Sequence, residues 1–212
     1  MIHAAPNLVE CTLDCVDFAH EHWVPSPLVP HSGLRHLRII YGSGYILRCL
    51  ALPLLQHLTI SNCDTALEHC LEFLNRSSPP LRSFGMRMYH GPPRMNIDAT
   101  IERFLSLVPV ITDLDLAFTD YSEDFIFSLI LAIASPQCIP NLRNLTIRSW
   151  GLDCFNQWKL RYEQVLRMLS ARRAIPHSQL HSFKFFWILA GMQRLVADGM
   201  EIYIGTQEKN FI

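Results

Sequence analysis

Hydrophobic and polar residues alternate in a short phrase that recurs along the chain. The phrase reads apolar-x-x-apolar-x-apolar, and a proline or a small polar residue usually precedes it. Its clearest copies occupy residues 55–60 and 142–147. Other copies occupy residues 34–39, 81–86, 111–116, 180–185 and, more loosely, 8–13. A phrase that returns at a spacing of tens of residues is typical of a repeat protein, in which each unit stacks on the next.

The phrases predict strands, and the segments between them predict helices. The end of each phrase alternates with the period of two that strands have. Between phrases, apolar residues such as Leu67, Cys70 and Leu74 follow the helical period. We therefore predict helices near residues 66–74, 97–108, 122–134, 162–169 and 191–198, the first opened by a Thr65–Glu68 capping box. A last strand is predicted at residues 201–205.

The spacing of the phrases predicts the fold class. Successive phrases begin 21 to 38 residues apart, whereas leucine-rich repeats are roughly 20–29 residues long. The longer units have room for a complete helix, and parallel strands need crossovers of this length. We expect an α/β leucine-rich-repeat solenoid, a horseshoe arc with parallel strands on its concave side and helices on its convex side. Residues 1–206 would form about seven to eight irregular repeats, followed by a short polar tail at 207–212.

Composition narrows the functional class. Half of the 212 residues are hydrophobic and 17% are charged, which supports a continuous core rather than disorder. The formal net charge of −1 predicts neither a nucleic-acid nor an anionic-membrane surface. Residues 1–6 lack the features of a secretory signal, and the apolar stretch at 125–134 is too short to span a bilayer. Seven irregularly spaced cysteines fit reduced thiols. The expected location is intracellular, either cytoplasmic or nuclear.

Strand geometry predicts which side chains a partner would meet. Numbering each phrase from 1 to 6, positions 4 and 6 face the core, whereas their neighbours at positions 3, 5 and the following position 7 face the concave side. Arginine and aromatic residues are enriched at binding hot spots, although any single outward residue could equally be an ordinary solvated strand residue. The predicted partner-binding residues are Arg38, His57, Arg87, Asp113, Asp115, Arg148, Lys184, Phe186 and Tyr203.

Motifs for catalysis are weak in this chain. There is no glycine-rich phosphate loop with a following Lys-Ser/Thr and no Gly-x-Ser-x-Gly elbow. Cys11 and Cys15 with His20 and His22 could bind zinc by spacing alone, but they would lie on different elements. The carboxylates at positions 113 and 115 could suggest acid–base chemistry, but no convergent partner can be named. We predict no catalytic, cofactor-binding or metal-binding residue.

Several stretches resemble a known family. Residues 55–63 (LQHLTISNC), 72–83 (EFLNRSSPPLRS), 107–116 (LVPVITDLDL) and 199–206 (GMEIYIGT) are similar to leucine-rich-repeat regions of F-box proteins from mushroom-forming fungi. The resemblance covers roughly residues 34–207. It implies a region that holds the substrate of an SCF-type ubiquitin ligase, while the F-box binds the ligase adaptor. The chain has no Leu-Pro-x-Glu F-box opening, so adaptor binding is expected only if an F-box lies upstream.

The sequence therefore predicts a non-catalytic protein–protein interaction module. Its partner would be a protein substrate bound on the concave face, with no nucleic-acid or membrane ligand and no cofactor. The alternatives are a free-standing leucine-rich-repeat binding protein and a truncated fragment that is not stably folded alone. An α/β enzyme that uses Asp113 and Asp115 is a further alternative.

Overall fold

The structure is a computed structural model that describes residues 5–16, 28–42, 44–61, 66–89, 97–119, 123–134, 138–150, 165, 167–172, 179–186 and 201–203. It is an α/β structure. Its strands are β1 (Glu10–Val16), β2 (Val29–Pro30), β3 (His36–Gly42), β4 (Leu50–Ala51), β5 (His57–Ser61), β6 (Ser83–Tyr89), β7 (Asp113–Thr119), β8 (Asn144–Trp150), β9 (Ser182–Phe186) and β10 (Glu201–Tyr203). Its helices are α1 (Ile46–Cys49), α2 (Ala66–Ser77), α3 (Ile97–Leu107) and α4 (Glu123–Ala134), and residues 167–172 are also helical.

One large parallel sheet organises the described residues. Its order is β1-β3-β5-β6-β7-β8-β9-β10, so each strand lies beside the next long strand along the chain. Every pairing is parallel and keeps the phrase in register, as where His36 and Leu37 of β3 lie opposite His57 and Leu58 of β5. The predicted parallel strands are confirmed. A slip by one residue would move every buried side chain to the other face, which fixes this register.

One face of the sheet, called the core face here, is uniformly apolar. It carries phrase positions 4 and 6, such as Leu58 and Ile60, which are 1% and 0% exposed. The helices cover this face, since the Phe84 ring of β6 lies 4.7 Å from the Phe104 ring of α3. Cys11 and Leu13 of β1, at the edge of the sheet, are only half-buried. The opposite side of the sheet is called the open face.

A repeated turn leads into several strands. The N–H of Leu55 donates to the carbonyl of Leu52 (3.2 Å), and the same bond closes the turns before Leu8, Ile111 and Leu142. A proline is the second residue of each of these four turns. Proline suits that position because its ring fixes φ near the value the turn requires. These bonds explain why the phrase so often follows a proline.

The second unit replaces this turn with a histidine side chain. Nδ1 of the buried His31 accepts hydrogen bonds from the N–H groups of Gly33 (3.2 Å) and Leu34 (2.9 Å). Its Nε2 donates to the carbonyl of Ala5 at 2.9 Å, which requires the neutral tautomer with the proton on Nε2. One ring thereby joins the first two units.

The helices follow the predictions where they are described. α3 and α4 lie within the predicted segments, whereas α2 and residues 167–172 overlap theirs and end three residues later, at Ser77 and Arg172. The short α1 and the small parallel pair of β2 with β4 were not predicted. α1 and β4 lie where phrases are closest together, in a 21-residue unit that leaves little room for a long helix, and β2 lies in the unit before it. Thr65, Ser122, Tyr162, the predicted helix at 191–198 and the tail at 207–212 lie outside the described residues.

Two arginines bind backbone carbonyls on the helix side. The buried Arg172 donates to the carbonyls of Ile133 (2.6 Å), Ile139 (3.0 Å) and Cys138. Arg76 at the end of α2 donates in the same way to the carbonyls of Leu47 (2.5 Å) and Leu50 (2.8 Å). Of these acceptors, the carbonyls of Ile133 and Leu47 belong to the ends of α4 and α1, and the others lie in the segments that follow those helices. Burial lowers the pKa of Arg172 below its usual value.

Among the helices of the described residues, none has both the length and the apolar character needed to cross a membrane.

Candidate functional site

The open face of the sheet carries three rows of side chains that run across the strands. Because the strands pair in register, equal phrase positions lie side by side. Row 1 is Glu10, His36, His57, Ser83, Asp113, Asn144, Ser182 and Glu201. Row 2 is Thr12, Arg38, Thr59, Gly85, Asp115, Thr146, Lys184 and Tyr203. Row 3 is Asp14, Ile40, Ser61, Arg87, Ala117, Arg148 and Phe186.

A depression of about 250 Å³ lies in the middle of these rows. Its floor is at Gly85, where row 2 has no side chain between Thr59 and Asp115. A Cβ added at Gly85 would meet Cγ2 and Oγ1 of Thr59 at 3.4 Å, which is ordinary contact distance, so the chain has space there for at least a methyl group. The remaining lining residues are Ser83, Met86, Arg87, Asp113, Leu114, Asn144 and Thr146.

The two carboxylates beside the depression are held by neighbouring donors. Oδ1 of Asp113 accepts a hydrogen bond from Nδ2 of Asn144 (2.5 Å), and Oδ2 accepts one from the Thr112 hydroxyl (2.6 Å). Oδ1 of Asp115 forms an ion pair with Nη1 of Arg148 at 2.5 Å. These contacts fix both carboxylates on the same side of the depression. Charge-assisted bonds of this kind are stronger than neutral ones and hold the side chains in place.

Arg87 stands at the other end of the depression and differs from Arg148. It is exposed, and among the described residues it forms no ion pair. Arg148 is 20% exposed and already neutralised by Asp115. Ala117, which lies between the two arginines in row 3, is 1% exposed. The free positive charge of the centre therefore lies at Arg87.

Histidines occupy row 1 on the other side of the depression. The His36 and His57 rings are stacked with centroids 4.2 Å apart and planes 5° apart. Nε2 of His36 is 3.9 Å from Oε1 of Glu10. Partial burial, followed by the neighbouring His36, lowers the pKa of His57 below its usual value. The lowered pKa favours the neutral form of His57, so its ring is presented on this part of the face as a polar aromatic group.

The structure brings together four of the predicted residues and spreads the others. Arg87, Asp113, Asp115 and Arg148 surround the depression or adjoin it. The other predicted positions lie on flanking strands: Arg38 and Lys184 are exposed, His57 is half-buried, and only the backbone of Phe186 and Tyr203 is described.

Two details of the predicted surface need correction. Row 3 is not continuously exposed, because Ser61 (6% exposed) and Ala117 (1% exposed) are buried. Arg148 is not an isolated charge, because it forms an ion pair with Asp115, and its role in partner binding stays a prediction. The strand register was implicit in the repeated phrase, and it places Arg148 directly opposite Ala117 and diagonal to Asp115. That signal was available in the sequence.

Sequence reasoning also missed the importance of Gly85 and Asn144. Gly85 was recognised as an outward position, but the depression follows from the larger residues on both sides of it. Asn144 matters because its amide orients Asp113. A glycine at an outward position between strands that carry larger residues is the signal that could have found the depression.

The arrangement offers charge and hydrogen bonds to a ligand. Within the described ranges, no group of three or more His, Cys, Asp or Glu side chains is placed to hold a metal ion. Asp113 and Asp115 are engaged by neutral donors and by Arg148, and Arg87 offers a free guanidinium group. Guanidinium groups bind carboxylates and phosphates through paired hydrogen bonds. The centre is therefore suited to binding by complementary charge.

Comparisons of the chain with protein-family models, with curated proteins and with solved structures found no match.

Proposed function

We propose that this protein is a non-catalytic interaction module of the leucine-rich-repeat type that binds a protein partner on its open face. The observation that carries the proposal is the set of three in-register rows across the parallel sheet, with the Gly85 depression at their centre. In this proposal the units continue as a solenoid whose arc makes the open face concave. Solenoids use such extended concave surfaces to bind partners.

The contrast between repeated and varied positions supports a binding role. Core positions repeat one chemical type from unit to unit, whereas outward positions change from Glu to His, Thr, Gly, Asp and Lys. Mixed charge of this kind sets specificity through complementarity with one partner. By the sequence resemblance, the partner would be a substrate of an SCF-type ubiquitin ligase, and the adaptor would bind an F-box in a longer protein.

Site-specific photo-cross-linking tests the proposed surface. A benzophenone amino acid is placed at Thr59, beside the depression, and at the exposed Arg103 of α3 as a helix-side control. Each chain is expressed in cells and irradiated, and cross-linked proteins are identified by mass spectrometry. We expect one protein to cross-link from Thr59 and not from Arg103. Equal labelling from both positions, or labelling from Arg103 alone, would reject the open face as the binding surface.

A charge variant tests the chemistry of the same contact. Arg87→Glu should remove the cross-link from Thr59, whereas Arg103→Glu makes the same change in net charge on the helix side and should leave it intact. The ligase assignment has its own readout in a longer protein that carries an F-box, since the captured protein should carry less ubiquitin in cells where that longer protein has Arg87→Glu. If the partner binds but its ubiquitination does not change, the interaction-module proposal stands and the ligase role is rejected.

A further inference from the structure

Position 2 of the phrase forms a row that the proposed function does not use. Each residue of this row stands immediately before a strand of the large sheet, so the row follows the sheet edge at which the strands begin. It is called the edge row here. Its members, in sheet order, are Val9, Arg35, Gln56, Arg82, Thr112, Arg143 and His181. Arginine therefore recurs at every second strand.

The backbone of the edge row is a continuous hydrogen-bonded ladder. The carbonyl of Arg35 accepts bonds from the N–H groups of Gln56 (2.8 Å) and His57 (2.9 Å). The same pair of bonds recurs at every described step from Val9 to Ser182, with lengths between 2.8 and 3.1 Å. A rigid backbone fixes the spacing between the arginines. Such preorganisation lowers the ordering cost of binding.

The three arginines of the edge row are available to a ligand. Arg35, Arg82 and Arg143 are all exposed, and in the described part of the chain none of them forms an ion pair with a carboxylate. Nε of Arg143 donates to Oε1 of Gln179 at 2.7 Å, which orients this side chain and leaves its terminal nitrogens for other acceptors. The positive charge of Arg82 contributes to the lowered pKa of His57, after burial and His36.

We propose that the edge row binds an acidic polypeptide segment that carries a carboxylate at every third residue. Neighbouring strands are about 4.8 Å apart, so arginines on alternate strands are separated by about 9.6 Å. A polyproline II helix has three residues per turn and rises about 3.1 Å per residue, which puts every third side chain on the same face about 9.3 Å apart. The two spacings match over the three arginines.

A peptide fits this row better than a nucleic acid does. The positions between the arginines are the neutral Gln56 and Thr112, and the Asp113 carboxylate is hydrogen-bonded to the Thr112 hydroxyl. Phosphates follow one another along a DNA strand about every 3.4 Å. A continuous polyanion would therefore place charge beside Asp113, whereas intermittent carboxylates avoid it.

Fluorescence polarisation with defined peptides tests this proposal. The probe is a fluorescein-labelled nonapeptide of three Glu-Pro-Ala units, and the control peptide has the same composition with its three glutamates consecutive. We expect the spaced peptide to bind at least about tenfold more tightly, a difference of about 1.4 kcal/mol. Equal binding of the two peptides, or tighter binding of an oligothymidylate of similar length, would overturn the proposal.

Two arginines of the same strand give matched variants. Arg82→Glu changes the edge row and Arg87→Glu changes the far end of β6, with the same change in net charge. Arg82→Glu should weaken the spaced peptide at least about tenfold, and Arg87→Glu less than about twofold, because the Debye length is about 8 Å at physiological salt. Equal losses of peptide affinity in the two variants would show that only the net charge matters and would reject the edge row as the binding site. Arg35→Glu repeats the test if Arg82→Glu lowers the thermal unfolding midpoint.

Failure of this proposal leaves the proposed function intact. The open-face partner is tested by Arg87→Glu and by cross-linking from Thr59, and the acidic peptide by Arg82→Glu. Each surface therefore has a variant that should leave the other surface unchanged.

Discussion

The two faces of the same sheet follow different rules. On the core face, positions 4 and 6 are Leu, Ile, Phe or Met on every strand from β3 to β8, and all of them are at most 4% exposed. On the open face, the residues that lie side by side on neighbouring strands are nearly always different, and the stacked pair of His36 and His57 is the exception between β3 and β8. Core-face and open-face residues alternate along the same strands. A difference in backbone geometry therefore cannot explain why one face is uniform and the other is varied. The core face packs the sheet against the helices, and the open face is free to vary.

The two faces differ in the physical requirement that their residues must meet. A core position needs an apolar side chain of suitable volume, because close packing between the sheet and the helices stabilises the fold. An open position must avoid burying an unpaired charge and can otherwise take any residue that a ligand requires. Changes on the core face should therefore alter stability and leave charge recognition alone, and changes on the open face should do the reverse. The predictions below test this division.

The largest effect is expected from Phe84→Ala on the core face. Phe84 is 0% exposed, and its ring lies 4.7 Å from that of Phe104, so truncation leaves a cavity between β6 and α3. Loss of a buried phenylalanine should lower the free energy of unfolding by about 3–5 kcal/mol. Urea unfolding followed by circular dichroism measures the change. Arg87→Ala, three residues along on the open face, should cost less than about 0.5 kcal/mol, and a comparable loss there would break the division.

The next effect compares two arginines on the helix side. Arg172→Met removes donors to the carbonyls of Ile133, Cys138 and Ile139 in a buried place, and it should cost about 2–3 kcal/mol of unfolding free energy. Arg76→Met removes the same kind of contact in a half-buried place, where water can replace it, and should cost about 1 kcal/mol. Urea unfolding of the two variants side by side checks the order. A smaller loss for Arg172→Met would show that its carbonyls find other donors.

These arginines mark what the sequence could not predict. The strands, their register and the three long helices α2 to α4 follow from the repeated phrase, because apolar periodicity records which residues are buried. Arg172 reaches carbonyls 33 to 39 residues earlier in the chain. Long-range polar contacts leave no periodic signal. The turn made by His31 is local but was also missed, because a side-chain nitrogen there replaces the usual backbone acceptor.

The candidate site was predicted in outline only. Phrase numbering gave the outward positions, including Arg87, Asp113 and Asp115, because strand alternation is strict. It did not give the depression, which depends on the sizes of neighbours across three strands, or the ion pair of Arg148 with Asp115. Both features require the register between strands as well as the alternation within each strand.

His69→Leu tests a polar exception on the helix side. His69 is 6% exposed, neither ring nitrogen has a hydrogen-bond partner within the described residues, and its ring packs against Tyr45. Replacing an unsatisfied buried polar group by an apolar one should raise the free energy of unfolding by about 1–2 kcal/mol at pH 7. Urea unfolding measures it, and a loss of stability would show that the imidazole makes a contact worth keeping.

The same variant should change the pH dependence. Burial lowers the pKa of His69 below its ordinary value of 6.5. The unfolded chain therefore binds more protons than the folded one as the pH falls below about 6.5, and the native protein loses stability in that range. Unfolding measured between pH 7.5 and pH 5 should show a shallower decline in His69→Leu. An unchanged slope would assign the decline to other groups.

The smallest effect on stability, with a large effect on binding, is expected from Gly85→Ala. The new methyl group would lie at contact distance from Thr59 and occupy the floor of the depression. Glycine within a strand is destabilising relative to alanine by roughly 0.5–1 kcal/mol, so the variant should be slightly more stable than the natural chain. If the depression receives a partner side chain, cross-linking from Thr59 should fall at the same time. Thr146→Ala is the matched control, since it enlarges the depression and should preserve the cross-link. If the Gly85→Ala chain is more stable and binds its partner undiminished, the partner does not reach the depression. If it is destabilised by more than about 1 kcal/mol, the fold itself requires glycine at this position of the open face.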